Sequence, residues 1–374
     1  YMIICSIQIY AVSAEEINLN AKAAVIMDAE SGKILYEKFK DQKMPNASTT
    51  KILTCLYILK HCDLDQMAEV SKNAAMQPKV RLGVREGEKY KVKDLLYGLM
   101  LESYNDCAVV LAEHAEGSVE KFEKRMNQMA ENLGTLNTHF VTPNGLDGID
   151  KKGRHETTAQ DLAKIMARCI KNQQFLEITQ TKQYTFTDGS RKRRFICNNH
   201  NALLSSMQGV ISGKTGYTSK AGYCYVGAAK QKNMTMTFSV LASGWPPHKT
   251  YKWKDVRKLV QYATDHYERR EIIADTSKIK EISIKNGLKE KVLLKTGNLK
   301  AAFLVKKTDK IKIESILPSF IDAPVKEGQK VGEIKYLING KSQKSVPIYA
   351  KQSVKQKDYW YYFEKIIQRF TLIA

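Results

Sequence analysis

Ser48 and Lys51 stand three residues apart in the run Ser48-Thr49-Thr50-Lys51. A serine hydroxyl is a weak nucleophile until a base takes its proton. On a helix, positions i and i+3 share a face, so Lys51 would reach Ser48. Lysine can act as that base when burial or a nearby cation keeps it neutral. A serine at the helix start also sits at the positive end of the dipole. A second run, Ser103-Tyr104-Asn105, falls at a break between two helical patterns. A loop there can project a hydroxyl and an amide into a cleft. Ser103 would relay a proton to a leaving amine, and Asn105 would hold a substrate amide, cap the following helix, or do both. The third run, Lys214-Thr215-Gly216, is followed by Tyr217 and Thr218. Lys214 on an edge strand supplies positive charge for a substrate carboxylate. Thr215 and Thr218 offer hydroxyls to the same group, and Gly216 lets a substrate backbone approach closely. Each run has a look-alike elsewhere: Ser277-Lys278-Ile279-Lys280 in an alternating stretch, Ser71-Lys72-Asn73, and Lys295-Thr296-Gly297, which reads as a turn. The three runs taken together, in this order, are mechanistically coupled in a way the look-alikes are not.

The elements that must position them can be read from periodicity. Ala24–Met27 and Ile34–Tyr36 flank a turn at residues 28–32 and predict a strand hairpin. From Thr49 to Leu59 the stripe Ile52, Cys55, Leu56 and Leu59 predicts a buried helix. Further helices are predicted over 94–101, 106–114 and 119–133. Thr158 with Asp161 predicts a capped helix to Ile170. The period then shifts towards two, giving strands near 184–187, 222–229 and 234–241 before a helix over 256–267. That order predicts an α+β domain, with one antiparallel sheet built from both ends of the region and a helical lobe between them. From about Glu271 short β-like runs follow one another, and Asn339-Gly340 marks a hairpin. They predict a small all-β sandwich domain. The end is different again: Trp360, Phe363, Ile367 and Phe370 share a helical face with Tyr359, Tyr362, Ile366 and Ile373, opposite Asp358, Glu364, Lys365, Gln368 and Arg369. This predicts an amphipathic helix that lies in a membrane interface.

The whole chain has 374 residues, enough for two or three domains. Its net charge is +21, which favours polyanionic partners. The first fourteen residues, an apolar run ending in Ala11-Val12-Ser13-Ala14, read as an export signal without its basic leading segment. Export argues against nucleic acid and leaves anionic lipids and wall polymers. The seven cysteines are scattered, and no Cys-x-x-Cys pair occurs. Free buried thiols are expected, with no structural metal and no cofactor. The division expected is 1–14 signal, 15–268 catalytic domain, 269–352 β domain and 353–374 membrane-attaching helix.

With these runs on those elements, the sequence resembles the D-alanyl-D-alanine carboxypeptidases, the low-molecular-mass serine penicillin-binding proteins. The likeness extends over nearly the whole chain. It is carried by Pro45-Asn46-Ala47-Ser48-Thr49-Thr50-Lys51, Lys214-Thr215-Gly216-Tyr217-Thr218, Asn144-Gly145-Leu146-Asp147, residues 157–162 and Glu327-Gly328-Gln329-Lys330-Val331-Gly332. The resemblance implies a β-lactamase/transpeptidase-like catalytic fold. It implies that Ser48 attacks the carbonyl between two terminal D-alanines of a peptidoglycan stem peptide, while Lys51 takes its proton. The backbone N–H groups of Ser48 and Tyr217 would form the oxyanion hole. D-Alanine would leave, protonated through Ser103 or Lys51, and water would hydrolyse the acyl-enzyme. Lys214, Thr215 and Thr218 would hold the terminal carboxylate, with Lys252 or Lys254 as a further basic residue. β-Lactams would acylate the same serine. The protein would work at the outer face of the bacterial cytoplasmic membrane, attached peripherally by its last helix.

Tyr104 is bulkier than the side chain such proteins often carry at the middle of the second run, which could alter preference in the cleft. Other readings stand beside this one. A β-lactamase would need a carboxylate to activate the deacylating water, and Glu123 lies in a periodic helix rather than a loop. A D,D-endopeptidase shares the same catalytic residues but commonly lacks the C-terminal domain. A non-catalytic wall-binding protein would not need Ser48, Lys51 and Lys214 together.

Overall fold

The computed structural model describes residues 17–277 and 279–371, so the apolar run at the start of the chain lies outside it. The chain divides into two compact units, before and after the 265/266 junction. In the first unit, β1 (Ala23–Asp28) and β2 (Ile34–Lys38) join β3 (Val210–Thr218), β4 (Gly222–Gln231) and β5 (Met234–Leu241). The order is β2-β1-β5-β4-β3, so the two ends of the region do build one antiparallel sheet. Every residue of β1 is buried, which explains its unbroken apolar run. Alternation splits it between two cores. Val25 and Met27 face the helical lobe. Ile26 pairs with Phe238 on the other side, the side where Tyr262 and Trp253 of α5 (Tyr251–His266) pack edge-to-face with Tyr36 and Tyr225.

The lobe is built from α1 (Lys51–His61), α2 (Asn105–Glu116), α3 (Val119–Asn132) and α4 (Ala159–Cys169), with shorter pieces between. Thr158 caps α4 as the sequence indicates, its hydroxyl accepting the Asp161 N–H at 3.1 Å. Three details differ from the sequence reading. Ser48 lies in a 3-10 turn, Ala47–Thr50, that runs directly into α1. The helix before Ser103 closes in a π turn, Gly98–Glu102. Asn105 is inside α2 and does not cap it; Tyr104 holds that position, and no side chain caps the end. Of the look-alike runs, Ser71 caps the short helix Lys72–Ala75, and Lys295-Thr296 ends a strand rather than forming a turn. The six described cysteines are free thiols, five of them buried.

In the second unit, β6 (Tyr267–Ile273) and β9 (Lys300–Lys306) form a two-stranded ribbon. β7 (Glu281–Lys285), β8 (Lys291–Thr296), β10 (Ile311–Ile316), β11 (Phe320–Asp322), β12 (Lys330–Ile338) and β13 (Lys341–Ala350) form a sheet of order β10-β12-β13-β8-β7-β11. Ala301 and Phe303 of the ribbon share one core with Ile334, Tyr336 and Ile348 of the sheet. Asn339 and Gly340 both have positive φ, as a tight hairpin turn requires. The last helix, α6 (Tyr359–Thr371), exposes Trp360 at 67% and Tyr359 at 75%. Asp358 accepts the Tyr361 N–H at its start instead of belonging to its polar face. Among the described residues, no helix is long and apolar enough to cross a membrane.

Candidate active site

The turn that carries Ser48 is fixed from below. Ala47 has a φ of +51°, a left-handed conformation that costs a non-glycine residue about 1–2 kcal/mol. Asn46 donates to Thr49 and Thr50 through Nδ2 at 3.0 and 2.8 Å. His155 locks the other side. Its Nδ1 accepts the Val141 N–H at 3.0 Å, so the ring proton sits on Nε2 and is donated to Thr50 Oγ1 at 2.8 Å. Burial pushes the imidazole down to about 3, so it is neutral. Gly145 packs under the turn; a Cβ there would lie 2.1 Å from the Ala47 carbonyl oxygen. Gly216 closes in from β3, and a Cβ on it would lie 2.9 Å from the Asn46 carbonyl oxygen and 3.1 Å from the Ser48 nitrogen. The bare position at 216 therefore makes room for the Ser48 turn, where the sequence suggested room for substrate.

Lys51 is fully buried. Its Nζ lies 2.8 Å from Ser48 Oγ, 2.8 Å from Asn105 Oδ1 and 3.4 Å from Ser103 Oγ. The three sequence runs therefore meet at one nitrogen or, for the third, through its charge. Burial first, and then the Lys214 ammonium, hold Lys51 well below the ordinary lysine value, against a weaker upward pull from Cys107 and Asp106. Ser103 is itself left-handed, φ +68°, at the end of the π turn. Asn105 is buried too, with Nδ2 donating to the Pro78 carbonyl at 3.3 Å. Its amide oxygen holds the lysine.

Lys214 is buried on β3, donates to the Thr215 carbonyl at 3.1 Å, and is brought down to about 7 by that burial. Thr215, Gly216 and Tyr217 line a cleft of about 540 Å³ that opens onto Ser48 and Ser103. Thr218 bonds within the protein. Its hydroxyl donates to Asp147 Oδ1 at 3.3 Å and accepts the Ala221 N–H at 3.1 Å. Of the two further lysines considered, Lys252 lines the cleft, with Nζ 4.7 Å from the Tyr223 ring centre and 4.6 Å from that of Trp253. Burial and Lys249 bring it to about 8. Lys254 lies against Tyr251 instead. Glu102 and His200, 2.7 Å apart, also line the cleft. Nothing in the local sequence marks that pair, nor His155, because their partners are about 100 residues away. Cys107 is buried with its thiol pushed far up, so it is not a second nucleophile. Glu123 lines a separate cavity with Glu120, His139 and Asp150, away from the Ser48 cleft.

This constellation has relatives. Residues 10–244 match the D-alanyl-D-alanine carboxypeptidase family. The chain belongs to that family. It is a serine-type hydrolase of the low-molecular-mass penicillin-binding proteins, with a transpeptidase-like catalytic domain. Residues 267–356 match the C-terminal domain of penicillin-binding protein 5, so both units follow the carboxypeptidase layout. The carboxypeptidase DacF of Bacillus subtilis is 29% identical over 364 residues, covering 95% of this chain and 91% of the relative. DacA of Haemophilus influenzae is 29% identical, covering 89% and 86%. Among solved structures, penicillin binding protein 5 from Haemophilus influenzae superposes with a TM-score of 0.69 at 28% identity, covering 92% of this chain and all of that one. The carboxypeptidase DacD from Francisella tularensis gives 0.70 at 27%, covering 94% and 98%.

Proposed function

We propose that the protein removes the terminal D-alanine from peptidoglycan stem peptides through an acyl-enzyme on Ser48. The observation that carries this reading is the 2.8 Å contact between Ser48 Oγ and a buried, readily neutral Lys51. A neutral amine offers a lone pair to the Ser48 hydroxyl while donating to Asn105 and Ser103. Ser48 Oγ attacks the carbonyl carbon as its proton passes to Lys51. The oxyanion is met by the backbone N–H groups of Ser48 and Tyr217, which the close fit of Gly216 on the Ser48 turn brings near each other. The C–N bond breaks, and the leaving amine takes the proton from Lys51, directly or through Ser103. Water then attacks the acyl carbon as Lys51 takes its proton; the bond from that carbon to Ser48 Oγ breaks, and Ser48 Oγ takes the proton back from Lys51 as the acid leaves.

Lys214 and Thr215, with Lys252 from α5, receive the terminal carboxylate. Its arrival favours the charged form of both lysines, which sit near neutrality without it. Asn105 serves as the holder of Lys51. β-Lactams, which carry an acyl group and a carboxylate in the same relation, acylate the same serine. Export by residues 1–14 and peripheral attachment by α6 belong to the same reading. The attachment is supported by the exposed aromatic face of α6 and by Lys351, Lys355 and Lys357 before it.

The test is twofold. A fluorescent penicillin should label the protein and not Ser48→Ala; labelling that survives the substitution removes Ser48 from its role. A soluble pentapeptide ending in D-Ala-D-Ala should release free D-alanine. Cleavage confined to cross-linked peptides would make the protein an endopeptidase.

A further inference from the structure

We infer that Asp106 is a positioning residue for the Ser48–Lys51 pair, gripping the backbone of residues 82–84 so that segment 77–84 holds Asn105 and Asn144 in place. The inference rests on the active-site reading above. Asp106 follows Asn105 in the first turn of α2 and is 1% exposed. Its Oδ1 accepts the Leu82 N–H at 2.9 Å, and its Oδ2 accepts those of Gly83 and Val84 at 2.8 and 3.3 Å. Gly83 has a φ of +79°, which turns the three successive N–H groups inward around one anion. A fourth N–H, from Cys107, completes the shell at 3.0 Å. A buried carboxylate so satisfied is a strong anchor, because releasing it would strand several donors without water.

The other end of the gripped segment meets the active site twice. The Val80 carbonyl accepts the Asn105 N–H at 2.8 Å, and the Pro78 carbonyl accepts Asn105 Nδ2 at 3.3 Å. Gln77 Oε1 accepts Asn144 Nδ2, also at 3.3 Å. Asn105 Oδ1 is the group that holds Lys51, and the Asn144 carbonyl faces Ser48 Oγ at 3.5 Å. One carboxylate thus steadies, through one segment, a neighbour of the base and a neighbour of the nucleophile. On its outer side the segment has a separate fastening, Arg193 to the Gly83 carbonyl and to Glu88, which touches neither. Asp106 itself bonds to no reacting group; it acts on geometry and, more weakly, on the Lys51 charge, a pull that Gly83→Ala leaves in place, and not on substrate binding.

The test compares the full chain with Asp106→Asn and Gly83→Ala. Asp106→Asn keeps the size of the side chain but turns an N–H₂ or a weaker acceptor towards the three donors. Gly83→Ala touches no active-site group and meets nothing within 4 Å, yet its φ disfavours the gripped conformation. Three quantities are read: the rate of labelling by a fluorescent penicillin, the fraction labelled at saturation, and kcat and KM for D-alanine release. For Asp106→Asn the labelling rate and kcat should fall by about tenfold to a hundredfold, with KM within about threefold and the labelled fraction unchanged. Gly83→Ala should move the same quantities in the same direction by about three- to tenfold. Wild-type rates in Asp106→Asn overturn the proposal. So does a smaller labelled fraction at an unchanged rate, which marks Asp106 as a folding residue only. If Asp106→Asn does not fold, Gly83→Ala decides alone, by the same criteria. A wild-type protein that takes no penicillin at all brings down the active-site reading, and this proposal with it, on a separate observation.

Discussion

Gly145 lies so close beneath Ala47 that a Cβ on it would stand 2.1 Å from the Ala47 carbonyl oxygen and 3.0 Å from the Ser48 nitrogen. With a φ of +85°, the position is also closed to side chains on conformational grounds. Gly145→Ala should therefore push the Ser48 turn towards β3. We expect at least about 2 kcal/mol of destabilisation in urea titration and roughly a hundredfold slower penicillin labelling, since a displacement near 1 Å is that costly. A variant of unchanged stability and rate would mean that the turn is held by other contacts.

Lys214 is brought to about 7 by burial. Below that value it carries the charge that a substrate carboxylate needs, and above it the charge is lost. KM for a D-Ala-D-Ala peptide should rise on the order of tenfold between pH 6.5 and 8.5. Lys214→Met should raise KM and flatten that rise. It also removes the cation that helps to hold Lys51 down. The Lys51 value then moves up, and the acid limb of the labelling rate should shift to higher pH. An acid limb that stays in place or moves down would contradict the coupling.

Lys252 reaches the cleft between Tyr223 and Trp253. Lys252→Met should raise KM for a free D-Ala-D-Ala terminus by about tenfold, or ~1.4 kcal/mol, and leave the same peptide with a terminal carboxamide nearly unaffected. Equal effects on both substrates would assign Lys252 to packing.

His155 is buried as the neutral imidazole, with its value lowered to about 3. The unfolded chain takes up a proton near pH 6.5 that the folded chain refuses, so stability falls as pH drops from about 6.5 towards 3. At pH 5 the loss is about 2 kcal/mol for this one residue. Denaturant titrations at pH 7.5 and 5 should reveal it, and His155→Gln should reduce the difference between the two pH values. An undiminished difference would place the acid sensitivity elsewhere.

For α6, a chain ending at Lys357 should leave vesicles containing phosphatidylglycerol while releasing D-alanine at the full rate. Binding that persists without the helix would move the attachment to another surface.

The chemistry was legible where it is local. Ser48 and Lys51 share a helical face, and that spacing alone brings a base to a nucleophile. The sheet was legible because β1, β4 and β5 are apolar runs of strand length with clear turns. What escaped the sequence is what depends on distant parts meeting. That Asn105 meets Lys51 depends on how α1 and α2 pack. Asp147, brought in by a loop 71 residues earlier, meets the Thr218 hydroxyl. Gly216 and Gly145 look like ordinary turn glycines until the Ser48 turn is seen pressed against both. The choice between Lys252 and Lys254 depends on which face of α5 covers the sheet, and Trp253 packing on Tyr225 fixes that face.

β3 is the last strand of its sheet, bonded to β4 on one flank only. A substrate can therefore be received sideways, laid along the strand, without being threaded through an opening. A five-residue stem peptide, extended at roughly 3.3 Å per residue, is about 16 Å long. That length leaves its anchoring sugar strand outside the protein while the tip reacts. Mesh too large to enter any cavity can thus offer its stem ends to the protein where it stands.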